Sequence, residues 1–160
     1  MMVGASLVER WAHVYSDSKV LSAAVLYVHL AGILVAGGFA VVTDRASLAL
    51  AKERGPDVPR DLARLGAVHT FVLGGLAVTA TSGVLMLLAD LHTYLTSFLF
   101  WTKMTLILAL LGNGWLRLRA ERALENGHDT AWTRFRRTSL ASVALWFTVL
   151  LAGAFLTTIS

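Results

Sequence analysis

Five polar side chains interrupt runs of sequence that are otherwise apolar: His29, His69, Asp90, Lys103 and Asn113. Burying such groups in hydrocarbon is costly without a partner, so each needs a chemical reason to be there. An imidazole inside an apolar helix can ligate a metal or haem iron, carry a proton, or hydrogen-bond across a helix interface. His29 shares a helical stripe with Ser22, Val25, Gly32, Ile33, Ala36, Ala40 and Thr43. Small residues at that spacing admit a second helix or a flat ring. The stripe predicts that His29 faces the protein interior, either toward a cofactor or toward a group on another helix. His69 lies on a face with Leu73, Leu76, Ala80 and Leu87. A haem or metal ligand and a hydrogen-bonded group near the headgroups are both open to it.

Depth decides which of these residues can act together. His29 stands 15 residues, about 22 Å, from Asp44, whereas His69 is only about 8 Å from Arg64 at 1.5 Å per residue. The mismatch of roughly 14 Å disfavours one haem shared by His29 and His69. Met104 is closer in depth to His29, and methionine is a known axial ligand. Lys103 is the one basic residue within a span, and its stem can snorkel outward. Asp90, ending the neighbouring span on the same side, is its expected ion-pair partner. An anion, quinone-headgroup or proton site at Lys103 is the alternative. Asn113 is expected at the depth of His69.

These residues sit on four apolar segments: 20–42, 65–89, 98–116 and 140–159. Each is near the ~20 residues that cross a hydrocarbon layer. Gly55-Pro56 and Pro59 are read as breaking any helix in the 44–64 connection, and Asn126-Gly127 as the turn in the 117–137 connection. The link over 90–97 is short. Ahead of the spans, Leu7, Trp11, Val14 and Tyr15 recur at helical spacing, as in a short interfacial helix. Ser16 or Asp17 is placed to cap the next helix. The first 16 residues do not read as a cleaved signal. On the fourth span, Ser139, Ser142, Trp146, Gly153 and Thr157 form another small and polar stripe.

Composition agrees with a bilayer as the solvent. Hydrophobic residues make up 56% of the 160 and charged residues 15%, well below the quarter usual in soluble domains. Cysteine is absent, which excludes disulfides, thiolate-bound zinc, iron–sulfur clusters and covalent c-type haem. No HExxH, P-loop or GxSxG motif is present. The net charge of +4 comes from basic residues flanking the spans, which argues for membrane flanks and against nucleic acid. Of the 14 Lys and Arg, 11 fall in the 44–64 and 117–137 connections. The opposite side carries Arg10 and Lys19 alone. The positive-inside rule therefore places both connections in the cytoplasm and both termini outside it.

The motifs His29-x-x-Gly32, Gly37-Gly38 with Asp44-Arg45, Phe100-Trp101-x-Lys103-Met104 and Asn113-Gly114 carry a resemblance. The chain resembles small bacterial four-helix membrane proteins of largely uncharacterised function. Its layout is similar to that of the copper-resistance protein D membrane domain and of small b-type cytochromes. The resemblance implies an antiparallel up-down bundle in the bacterial inner membrane and an association with haem b or another redox group. The reading is thus an all-α integral membrane bundle, one domain, with an interfacial N-terminal helix. Its functional form is a haem b- or quinone-associated electron-transfer component, with His29, His69, Met104 and Lys103 as candidate cofactor-binding residues. His29 and His69 are the candidate metal ligands. The alternative is a non-catalytic subunit of a larger membrane complex, or a homo-oligomer, in which polar groups fix helix register.

Overall fold

The computed structural model describes residues 2–53 and 58–159, and among them every regular element is helical. In chain order the α-helices are α1 (Met2–Asp17), α2 (Lys19–Glu53), α3 (Val58–Ala89), α4 (Leu91–Thr96), α5 (Phe98–Glu125) and α6 (Trp132–Ile159), with a short 3₁₀ turn at Asp129–Ala131 ahead of α6. Four of them, α2, α3, α5 and α6, are long and apolar enough to cross a membrane.

Helix α1 matches the expected N-terminal helix, and its Trp11 indole donates to Leu85 O at 2.8 Å near the end of α3. The cap that follows is Ser18, whose Oγ accepts from Leu21 N at 3.2 Å. Neither Ser16 nor Asp17 serves: Ser16 bonds back to His13 O, and Asp17 meets His13 Nδ1 at 2.8 Å.

The largest departure from the sequence reading lies in the basic connections, which are mostly helix. Helix α2 continues to Glu53 and α5 to Glu125, past the expected ends at 42 and 116. Both extensions are rich in Ala, Leu, Lys, Arg and Glu, the strongest helix formers, so nothing ends the helix where the apolar run ends. Pro59 falls in the first turn of α3 and so does not break it. There its missing N–H has no intrahelical acceptor to lose, and its fixed φ suits a helix start. Gly55-Pro56 lies outside the described residues.

The turn at Asn126-Gly127 is as expected. Gly127 takes a φ of 79°, a left-handed conformation that glycine alone adopts without penalty. With it, Gly127 N bonds to Leu124 O and His128 N to Ala123 O, each at 2.9 Å, closing α5 in a Schellman motif.

Packing follows the small residues. Residues 29, 32, 36 and 39 of α2 meet 83, 79, 75 and 71 of α3, so the two helices run antiparallel. A Cβ on Gly75 would lie 2.7 Å from Ala36 N, and one on Gly32 2.5 Å from Thr79 Oγ1. The two backbones are therefore closer than larger side chains permit. Helix α2 also packs on α6, where Gly37 receives the Trp146 ring, and α5 packs along α6. The seam between α3 and α5 is slight, and α2 and α5 face each other diagonally without backbone contact. Two apolar clusters form the core: Ala36, Leu110 and Trp146 at mid-height, and Ala120, Leu124, Trp132 and Phe135 at the basic end. Large apolar side chains elsewhere point outward, among them Val20, Tyr27, Leu34, Leu108 and Phe98.

Candidate functional site

His29 is buried against α3, as its stripe predicts. Its Nδ1 lies 3.0 Å from Thr79 O and 3.1 Å from Ser82 Oγ. A carbonyl oxygen only accepts, so Nδ1 carries the proton and donates. In the neutral ring the lone pair is then on Nε2, available to accept a hydrogen bond or bind a metal. Ser82 is held in turn by donating to Val78 O at 2.7 Å. Gly83 makes room for the ring: a Cβ there would stand 3.2 Å from His29 Cε1. The imidazole is thus fixed by two α3 groups and by the missing side chain of a third.

Lys103 reaches the same level from the diagonal helix. Its Nζ lies against Gly153 of α6, 3.7 Å from where a Cβ would be. Gly37 meets Trp146, so His29, eight residues earlier on α2, stands level with about residue 154 of the antiparallel α6. Lys103 is close enough to act electrostatically on His29. The expected Lys103–Asp90 pair does not form. Asp90 instead caps α4, accepting from Thr93 N at 3.2 Å, and no carboxylate pairs with Lys103 among the described residues. The face of α5 that carries Lys103 packs on α6, which turns the ammonium inward. Met104, half-buried, follows on the same turn. At this end Tyr94 packs on Phe100. Burial raises its phenol above the usual range, with Tyr15 and Asp90 adding to the effect.

His69 belongs to a different place. It lies on α3 thirteen residues from Ser82, about 20 Å along the helix, and its charged neighbour is Arg117 of α5. The two histidines of the long apolar helices are therefore too far apart to ligate one iron. The described residues also contain no group of three or more His, Asp or Glu arranged to hold a metal ion. Neither a haem shared by His29 and His69 nor a metal bridging them fits this geometry.

Around Arg117 the structure assembles a second polar site that the sequence reading assigned to loops. Arg117 Nε stands 3.0 Å from Asp44 Oδ1, both side chains almost wholly buried. Its Nη2 donates to Ser47 Oγ at 2.7 Å, and Ser47 donates to Thr43 O at 2.8 Å. Phe135 covers the guanidinium with its ring centroid 5.6 Å away. Ser142 of α6 stands beside the Asp44 carboxylate, and Glu121 lies within the field of both Arg117 and Asp44. Glu121 Oε2, His69 Nδ1 and Ser139 Oγ are buried without a hydrogen-bond partner among the described residues, groups of the kind interior water bridges.

Asn113 does not join His69. Its Nδ2 donates to Thr138 O at 2.8 Å, fastening α5 to α6. The fourth-span stripe is buried at Ser139, Ser142 and Trp146 and half-buried at Gly153.

Helical register carried the signal for Asp44 and Arg117. Asp44 is four residues beyond Ala40 on the neighbouring strip to Thr43, and Arg117 continues the Lys103–Leu110 spacing by another seven. No family model, no curated protein and no solved structure matches the chain.

Proposed function

We propose that the chain is a multi-pass protein of the bacterial inner membrane, a four-helix bundle with both termini outside the cytoplasm, that binds a quinone headgroup between His29 and Lys103. The observation that carries this reading is the fixed tautomer of His29, with an acceptor Nε2 at the level of the Lys103 ammonium. A quinone carbonyl accepts from an ammonium, and a quinol hydroxyl donates to an imidazole lone pair. One acceptor and one donor at the same depth thus suit both redox forms of the ligand. The outward apolar side chains of the long helices are the lipid-facing surface, and the headgroup enters laterally from lipid. The role is binding and positioning; electrons come from a separate redox protein in the membrane.

The test is saturable binding of a short-chain benzoquinone to the protein in nanodiscs, followed by quenching of tryptophan fluorescence. His29→Ala and Lys103→Ala should each weaken it about tenfold, the loss of one good hydrogen bond. A ring compound of the same shape without carbonyls should not compete. Unchanged binding in both variants would sink the reading. An absorption spectrum of gently purified protein is the companion measurement, since a Soret band lost in His29→Ala would replace the quinone by a haem on that residue.

One observation favours a second reading, a non-catalytic subunit of a larger complex. The Asp44–Arg117–Ser47 tie links α2 to α5 across the diagonal, and buried polar ties can set helix register. Absence of quinone binding, together with co-purification of a stoichiometric membrane partner, would favour it.

A further inference from the structure

At the basic end, α2 and the first two turns of α6 leave a cleft of about 320 Å³, lined by Ala51, Trp132, Thr133, Arg136, Arg137 and Leu140. Its floor is apolar: Trp132 is 7% exposed and belongs to the cluster with Phe135. Its rim is cationic. Residues 133, 136, 137 and 140 recur at helical spacing, so both guanidinium groups and a threonine hydroxyl border one opening on one face of α6. Neither Arg136 nor Arg137 takes part in an ion pair among the described residues. Two arginines of α5 are engaged differently: Arg117 is paired with Asp44, and Arg119 lies over Trp115, 3.9 Å from its centroid.

Leu140, half exposed, stands at the start of the apolar run of α6, one turn above the arginines. The cleft is therefore cationic toward the aqueous side and apolar toward the span. Two unpaired guanidiniums beside a hydroxyl suit a phosphate oxygen set, which Arg recognises with paired donors. The apolar wall beyond suits an acyl chain. We propose that this cleft holds the headgroup of an anionic phospholipid of the cytoplasmic leaflet, with Arg136 and Arg137 on its phosphate and the acyl chains descending past Leu140. The inference rests on the membrane reading above but not on quinone binding.

The experiment is native mass spectrometry of the full chain in micelles doped with equal phosphatidylglycerol and phosphatidylcholine. The wild type should retain one phosphatidylglycerol with a preference of roughly tenfold or more, since each basic residue near a surface attracts an anionic lipid measurably. The R136Q/R137Q variant should bind both lipids alike. R45Q/R119Q, exposed positions with the same change in charge, should keep the preference. Loss in both double variants would show only general attraction and overturn the site. No preference in the wild type would overturn it too. Displacement of the lipid by soluble glycerol phosphate would reassign the cleft to a free phosphate ligand. Recovery of the wild type in the soluble fraction without detergent would instead defeat the membrane reading itself.

Discussion

Arg117 is the residue on which the interior polarity converges, because it touches α2 through Asp44 and Ser47 and lies under Phe135 of α6. Removing one member of a buried pair strands the other charge, typically at 3–5 kcal/mol, whereas removing both is far milder. Arg117→Leu should therefore lower unfolding stability in mild detergent by about 3 kcal/mol or more. The D44N/R117L double variant should recover a large part of that loss. Equal stability of the single variant and the wild type would show that the pair holds nothing together. At this scale the sequence was only half legible. His29 announced its inward direction through Gly32, Ala36 and Ala40, all on one strip. Asp44 and Arg117 looked like solvated flanks, because counting basic residues beside apolar runs cannot see a helix that continues beyond them. The partner expected for Lys103 fails for a similar reason: Asp90 ends the neighbouring span on the same side, but the short α4 claims Asp90 as its cap.

At the scale of elements, apolar periodicity located every long helix, and composition explains the misplaced ends. Ala, Leu and charged residues of high helix propensity carry α2 and α5 beyond their apolar stretches, while Pro59 starts a helix rather than stopping one. What periodicity does not disclose is which glycines touch. Gly74 and Gly75 are neighbours on α3, yet a Cβ at Gly74 meets nothing within 4 Å and one at Gly75 meets Ala36 N at 2.7 Å. Gly75→Ala should thus push α2 from α3 and destabilise the protein by about 1–3 kcal/mol, the usual range for overpacking. Gly74→Ala should be neutral or slightly stabilising, because it only removes backbone freedom from the unfolded chain. Thermal unfolding of the two variants side by side gives the comparison, and equal melting temperatures would mean that the α2–α3 approach is not tight.

At the scale of the whole molecule, the two ends differ in charge and the middle has almost none. Among the described residues, ten of the 11 basic residues of the two connections lie at one end, and Arg10 and Lys19 near the other. A reporter fused after Ser160 should accordingly be active outside the cytoplasm, and activity only inside it would reverse the orientation. Between the His29–Lys103 site and the Asp44–Arg117 site, about 22 Å apart along α2, lies the layer of Ala36, Leu110 and Trp146. Both sites are buried, so on the membrane reading proposed above a transmembrane voltage would fall over them and over this apolar layer alike. A charge carried across those ~22 Å of a ~30 Å hydrocarbon layer would cross roughly three quarters of the drop, about 1.7 kcal/mol per elementary charge at 100 mV. Trp146, seated on Gly37, stands at the middle of that path.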